Sequence, residues 1–244
     1  MRVLDIFKLV AWEVVNPLLL QAKKRKRYVF NGSYAGINLG CGYDNPSNWL
    51  GIDGGVYVLL QKAPTPILRF LSKFTKTQKK YSREEYLQKI RGSNVLHHEL
   101  DYGIPFDDDK IPAIFSSHFF EHITQMDANR LLHECFRVLK PGGIIRLVVP
   151  SLDAEVGRIR QAITQYEAGD ISGIQPFVTS DIVGYTNKYG HHRWMYNFAE
   201  MRDALRRAGF VQISEEKFRE GRIPDVEKLD TRVGIFVEAS KPEC

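Results

Sequence analysis

Ala35-Gly36-Ile37-Asn38-Leu39-Gly40-Cys41-Gly42, followed by Trp49-Leu50-Gly51-Ile52-Asp53, decides the reading of this chain. A short strand runs into a GxG turn, and a second short strand ends on an acid before Gly54-Gly55. In a parallel sheet the carboxyl ends of such strands are where ligands bind. The glycines allow a tight turn and close backbone approach by a ligand. An acid closing the second strand can accept from both hydroxyls of a ribose. The spacing argues against a dinucleotide. A dinucleotide fingerprint needs a further glycine three residues on, and Asn45 stands there. Only 13 positions run from Gly40 to Asp53, so the helix whose N-terminus would meet a pyrophosphate is short or missing. A ligand with a ribose and no phosphate fits this loop.

Outward from this stretch, strands and helices alternate. Val95 to Leu100 reads as a third strand ending at Asp101, an acid able to accept from an adenine amino group. Ile114 to Ser117 is a fourth strand. Asp127 to Leu139 is an amphipathic helix with Leu131, Leu132, Cys135, Phe136 and Leu139 inward, ended by Pro141-Gly142-Gly143. Ile144 to Val149 is a nearly unbroken apolar run, interrupted by Arg146, as a central buried strand requires. Phe198 to Ala208 is a further helix, and Phe210 to Ser214 and Val233 to Ala239 are the last strands. The alternation predicts an α/β fold with a mostly parallel sheet. The composition agrees: 244 residues, 43% hydrophobic and 26% charged, enough for one large core without disulfides. The three cysteines, Cys41, Cys135 and Cys244, form neither a disulfide framework nor a CxxC zinc pattern.

Taken in order, Ile37 to Gly42, Asp53, Asp101, Ser116-Ser117-His118-Phe119-Phe120-Glu121-His122 and Arg137-Val138-Leu139-Lys140-Pro141-Gly142-Gly143 resemble the class I S-adenosylmethionine-dependent methyltransferases. The resemblance covers about residues 35–150, and Trp194 to Phe210 is similar to a later helix of that family. It implies a Rossmann-like sheet of seven strands, mostly parallel, with helices on both faces, an antiparallel last strand and helical insertions forming a cap. It implies a methyltransferase domain over 35–244 with insertions at 56–92 and 154–190, preceded by an extension over 1–34. It implies S-adenosylmethionine as cofactor. Gly40, Cys41 and Gly42 would approach its methionine portion, Asp53 with Gly54 its ribose, and Asp101 with the Tyr102 backbone its adenine. Ser117 and His118 would lie under the sulfonium.

Methyl transfer needs alignment of nucleophile, methyl and sulfur, and a hydroxyl nucleophile gains from a base within hydrogen-bond reach. His192 is the expected catalytic base. His191, Arg193, Trp194 and Tyr196 are the expected acceptor contacts, with Trp194 and Tyr196 suited to stacking and Arg193 to a phosphate. His118-Phe119-Phe120-Glu121-His122 also matches an HxxEH zinc pattern. The family resemblance accounts for the same residues without zinc, so no metal is expected, and His122 is read as a hydrogen-bonded histidine beside the sheet.

Charge is uneven. Residues 1–100 carry 16 Lys and Arg against 7 Asp and Glu, while 101–244 carry 18 against 22. Val3, Phe7, Val10, Val14 and Leu18 fall on one side of a helix that precedes Lys23-Lys24-Arg25-Lys26-Arg27. Such a segment can pack on the domain as an extra helix, or residues 1–27 can lie on a membrane surface. Its charges rule out a membrane span. A looser likeness to methyltransferase-type proteins of bacterial surface-polysaccharide assembly, through Trp49 to Asp53 and His192-Arg193-Trp194-Met195-Tyr196, implies O-methylation of a sugar on a small-molecule or lipid-linked glycan acceptor. The implied location is cytoplasmic, at the inner membrane face. RNA is the rival acceptor, but no aromatic platform accompanies the basic runs, so nucleic acid is not the expected partner. A catalytically idle cofactor-binding scaffold is the third reading.

Overall fold

The structure, a computed structural model, describes residues 14–42, 44–72, 82–173 and 191–243. Seven strands form one sheet: β1 (Ile37–Leu39), β2 (Leu50–Asp53), β3 (Val95–His97), β4 (Ile111–Ser117), β5 (Leu139–Val149), β6 (Val211–Glu216) and β7 (Ile235–Ser240). Their order is β3-β2-β1-β4-β5-β7-β6. The first five pair in parallel, and β7 runs antiparallel between β5 and β6. The helices are α1 (Asn16–Lys23), α2 (Thr65–Ser72), α3 (Arg83–Gly92), α4 (Gln125–Val138), α5 (Leu152–Glu167), α6 (Phe198–Arg207) and α7 (Val226–Leu229). The expected Rossmann-like sheet is therefore present.

Two boundaries differ from the sequence reading. The third strand stops at His97, and Leu100–Tyr102 is a 3₁₀ turn closed by Gly103 at φ 87°. Pro141-Gly142-Gly143 does not precede β5 but bulges inside it. Ile111 pairs with Leu139 and Ala113 with Ile144, and Gly142 takes φ 73°. A proline without an N–H and a glycine free at positive φ are the residues a bulge selects.

Alternation along the strands sorts the core into two faces. On one, Ile37, Leu39, Ile114, Ile145, Leu147 and Val237 pack against Leu131, Leu132 and Cys135 of α4 and Met201 and Leu205 of α6. The other carries Ala113, Phe115, Val148 and Phe236. No helix joins β1 to β2, so this second face lacks its usual first cover. The β6–β7 connection fills the gap with Ile223, Val226 and Leu229 beside the fully buried Trp49. Asp225 ties the patch by accepting from Asn48 Nδ2 at 2.6 Å and Trp49 Nε1 at 3.3 Å. Beneath it the buried Arg146 directs all five donors into the same connection and β7. They reach both carboxylate oxygens of Asp230, Glu238 Oε1 and the carbonyls of Lys217 and Glu220.

The insertion at 56–92 folds into a 3₁₀ turn, α2 and α3 around Leu68, Leu87 and Ile90. Of the insertion at 154–190, α5 accounts for the first part, and residues 174–190 lie outside the described residues. In the N-terminal extension, Val3, Phe7 and Val10 also lie outside them. The described part packs on the domain. Leu20 is buried, Tyr28 N donates to the Pro105 carbonyl at 2.9 Å, and Arg27 donates to the carbonyls of Ile104 and Phe106. No described helix is long and apolar enough to cross a membrane.

Candidate functional site

The site is built at the carboxyl ends of β1, β2 and β4. Gly40 and Gly42 take φ 62° and 56°, conformations that suit glycine. Asp53, ending β2, accepts from Gly42 N with Oδ2 at 3.0 Å and from Gly55 N with Oδ1 at 2.7 Å. Its carboxylate thus spans the two turns and fixes the loop in place of the missing helix. Asn45, at the position of the absent third glycine, holds the same loop by donating to the Trp49 carbonyl at 2.7 Å and accepting from Asn38 at 3.2 Å. A Cβ on Gly42 would meet nothing within 4 Å, whereas one on Gly40 would lie 2.3 Å from the Phe119 ring. Gly42 therefore borders open space, and Gly40 is required by the packing of Phe119. The thiol of Cys41 packs inward toward Gly51, and burial pushes its pKa well up, so Cys41 offers the site its backbone.

Asp101 and Tyr102 lie in the 3₁₀ turn after β3. Between that turn and α4 is a cavity of about 210 Å³, walled by Leu100, Phe119, Ile123 and Leu131, with Asp101 and Tyr102 at its edge. Helix α1 closes this side through one directed chain of hydrogen bonds. Lys23 Nζ donates to His97 Nδ1 at 2.9 Å, so His97 carries its proton on Nε2, which meets Asn16 Oδ1 at 2.9 Å. Asn16 Nδ2 then donates to the Gly54 carbonyl at 2.9 Å. Burial pushes the His97 pKa down to about 4, and the Lys23 charge adds to the effect. The Tyr102 hydroxyl donates to Gln21 Oε1 at 3.0 Å, and Lys24 sits over its ring. Much of the basic cluster is thus engaged within the fold.

Beyond β4 the chain turns sharply, with His118 at φ 53°, a conformation costly for a non-glycine residue. The turn buries Glu121 completely. His118 Nδ1 lies 3.4 Å and His122 Nε2 3.8 Å from Glu121 Oε1. The Glu121 carbonyl accepts from Arg193 N at 2.6 Å and Trp194 N at 3.3 Å, which pins the later segment beside the first. His122 meets the His191 carbonyl at 3.0 Å, and its ring stands 5.1 Å from that of His192. Desolvation holds His192 below the usual histidine value; His122 and His118 reinforce this, and Glu121 opposes it. Trp194, 37% exposed, donates to Glu200 at 2.8 Å.

Most sequence-named residues converge on this edge of the sheet: Gly40, Cys41, Gly42, Asp53 and Gly54 at one end, Asp101 and Tyr102 beside them, and Ser117, His118, His191, His192, Arg193 and Trp194 at the other. Tyr196 corrects the expectation of a stacking residue. It is 2% exposed and belongs to the main core, its backbone bridging Ser151. Residues not singled out also shape the site: Asn16 and His97, which clamp α1, Phe119 against Gly40, and Glu121, buried among the side chains of His118, His122 and His192. For Glu121 the signal was present, in an HxxEH stretch followed by His191-His192.

The family model described as a methyltransferase domain matches residues 37–147. No curated protein matches the chain. Among solved structures it is similar to a SAM-dependent methyltransferase from Archaeoglobus fulgidus (15% identity, 97% of this chain and 99% of that one, TM-score 0.44). It is also similar to one from Thermotoga maritima (15%, 98% and 96%, 0.44) and to phosphoethanolamine N-methyltransferase 2 of Haemonchus contortus (12%, 94% and 53%, 0.44). The matched domain, not these distant likenesses, carries the reading. The residues fit the cofactor that such a domain implies: no described residue crowds Gly42, Asp53 closes β2, and a cavity lined by Leu100, Phe119, Ile123 and Leu131 together with charged side chains sits by Asp101. Residues 37–147, a little under half of the chain, match a methyltransferase domain and form the first five strands of the sheet, and S-adenosylmethionine is the cofactor that such a domain implies.

Proposed function

We propose that the enzyme methylates a hydroxyl of a small-molecule or glycan acceptor, with a sugar carried on a lipid phosphate as its leading acceptor class. The observation that carries this reading is the exposed His192 imidazole, held below the usual histidine value beside the turn after β4. A neutral imidazole there suits removal of a hydroxyl proton. When bound, S-adenosylmethionine supplies an activated methyl with a built-in leaving group. Asp53 and Gly54 hold its ribose, Asp101 and the Tyr102 backbone its adenine, and the Gly40–Gly42 turn with Ser117 and His118 the remainder. Arg193 and Trp194, both exposed, receive the acceptor's phosphate and sugar face.

Helix α1 supports a membrane-borne acceptor. Val14 and Leu18, the described members of the predicted apolar stripe, are 51% and 66% exposed, and Lys24 to Arg27 follow them at the surface. We place the enzyme in the cytoplasm, touching the anionic inner membrane face through residues 1–27.

The test is release of S-adenosylhomocysteine with sugars, lipid-linked glycans and RNA as acceptors. Turnover is expected on a sugar acceptor, with His192→Ala lowering kcat about 10²–10⁴-fold and leaving cofactor binding unchanged. Turnover confined to RNA overturns the acceptor assignment, and no turnover on any hydroxyl acceptor favours the idle scaffold.

A further inference from the structure

Two imidazole nitrogens are turned toward the buried Glu121 carboxylate. Glu121 is 0% exposed, and among the described residues neither carboxylate oxygen has a hydrogen-bond partner. His118 Nδ1 and His122 Nε2 approach the same oxygen at 3.4 and 3.8 Å. The opposite nitrogen of each ring is already committed: His118 Nε2 to the Val233 carbonyl and His122 Nδ1 to the His191 carbonyl, both at 3.0 Å. A carbonyl only accepts, so those nitrogens donate, and the other nitrogen of each ring is the one turned toward the carboxylate. One ligand atom from each of Glu121, His122 and His192 lies within 4.8 Å of the others. A buried carboxylate without a hydrogen-bond donor among the described residues is costly unless a positive charge sits beside it.

We propose that Glu121, His122 and His192 hold a divalent transition-metal ion that binds the acceptor hydroxyl. Two imidazoles and one carboxylate suit zinc, manganese, iron or cobalt better than magnesium or calcium. Three protein ligands leave positions open, which is the habit of catalytic rather than structural sites. The His122–His191 carbonyl contact is the supporting hydrogen bond that fixes a ligating tautomer. His118, held by Val233, stands at the rim as a fourth donor. Arg193 and Trp194, both exposed, follow the ligand His192 directly in the chain, and neighbouring sugar hydroxyls are the ligands the remaining positions would take. The ion lowers the pKa of the bound hydroxyl, whose proton passes to solvent. His192 then acts as ligand rather than base. The acceptor class rests on the proposed function, but the ion site does not.

The experiment is a Co²⁺ titration of the chelator-treated full chain, followed by visible absorption, with S-adenosylmethionine calorimetry on the same preparation. One Co²⁺ per chain is expected. Glu121→Gln and His192→Ala should each weaken it by at least about 100-fold, beyond what loss of a supporting hydrogen bond costs. His133→Ala, on the exposed face of α4, should change nothing. The near-isosteric Glu121→Gln guards against misfolding, and its cofactor affinity confirms an intact sheet end. A wild type that binds S-adenosylmethionine and no Co²⁺ overturns the site. Equal Co²⁺ binding in every variant also overturns it, as adventitious binding. Co²⁺ bound and lost as expected without any cofactor binding upholds the ion and removes the methyltransferase reading instead.

Discussion

Asp53 and Gly42 are joined across neighbouring strands: the Asp53 carboxylate at the end of β2 accepts the Gly42 amide at 3.0 Å. The residue assigned to the ribose therefore also shapes the turn assigned to the methionine portion. Wild type should bind S-adenosylmethionine in the micromolar range, about −8 kcal/mol. Asp53→Ala should weaken binding at least 100-fold, about 2.7 kcal/mol or more, because ligand contact and loop support vanish together. Asp53→Asn keeps an acceptor for Gly55 and should fall between them. Calorimetry decides, and an Asp53→Ala chain that binds like wild type refutes the assignment.

Gly40 carries two separate demands. Its φ of 62° disfavours a side chain, and an added Cβ would stand 2.3 Å from the Phe119 ring. Gly40→Ala should cost about 2–4 kcal/mol in urea unfolding, of which about 1 kcal/mol is backbone. In Phe119→Ala the ring contacts go while the Phe119 Cβ, 2.8 Å from the added carbon, stays, so the same Gly40→Ala change should cost less than in wild type yet more than the backbone part of about 1 kcal/mol. Additive losses would show that Phe119 does not impose the glycine.

Arg146 is fully buried, with all five donors satisfied. Arg146→Met leaves Asp230 buried without its cation and Glu238 with Arg222 alone, at 3.5 Å, and should lose about 3–5 kcal/mol. Thermal unfolding measures this. A loss under about 1 kcal/mol would mean that the β6–β7 connection is held by its apolar contacts alone.

The clamp on α1 should be sensitive to acid. His97 titrates near 4 when folded, against about 6.5 in an unfolded chain. Below about pH 6.5 the unfolded state takes up a proton that the folded state refuses, so stability present above that pH is lost as pH falls toward 4. The loss should be on the order of 2 kcal/mol between about pH 7 and 4.5 in urea melts. His97→Gln can keep both hydrogen bonds and cannot titrate, so it should remove that part of the slope. An unchanged slope in His97→Gln would assign the dependence elsewhere.

The matched domain was legible because its signals are local. A strand, GxG and an acid 13 residues beyond Gly40 describe a turn and a strand end with little help from distant residues. The helical periods of α4 and α6 likewise declare an inward face. Pro141-Gly142-Gly143 misled because a helix stop and a β-bulge ask for the same residues, and only pairing with Ile111 and Ala113 separates them. Tyr196 misled because an aromatic next to His192-Arg193-Trp194 gives no local sign of which way its ring turns.

The sequence by itself determined the sheet, its glycine turn, the acid at the end of β2 and a first helix that is short or missing, since each follows from near-neighbour backbone preference and apolar period. Tertiary structure decided three things that rest on contacts between residues far apart in the chain. Residues 217–230 replace the absent helix because an open apolar face must be covered. Helix α1 docks because Asn16 and Lys23 find a neutral His97 more than 70 residues away. Glu121 becomes a buried carboxylate ringed by histidines because its carbonyl captures the amides of Arg193 and Trp194. Only folding brings such partners within reach, so no local pattern of residues can announce them.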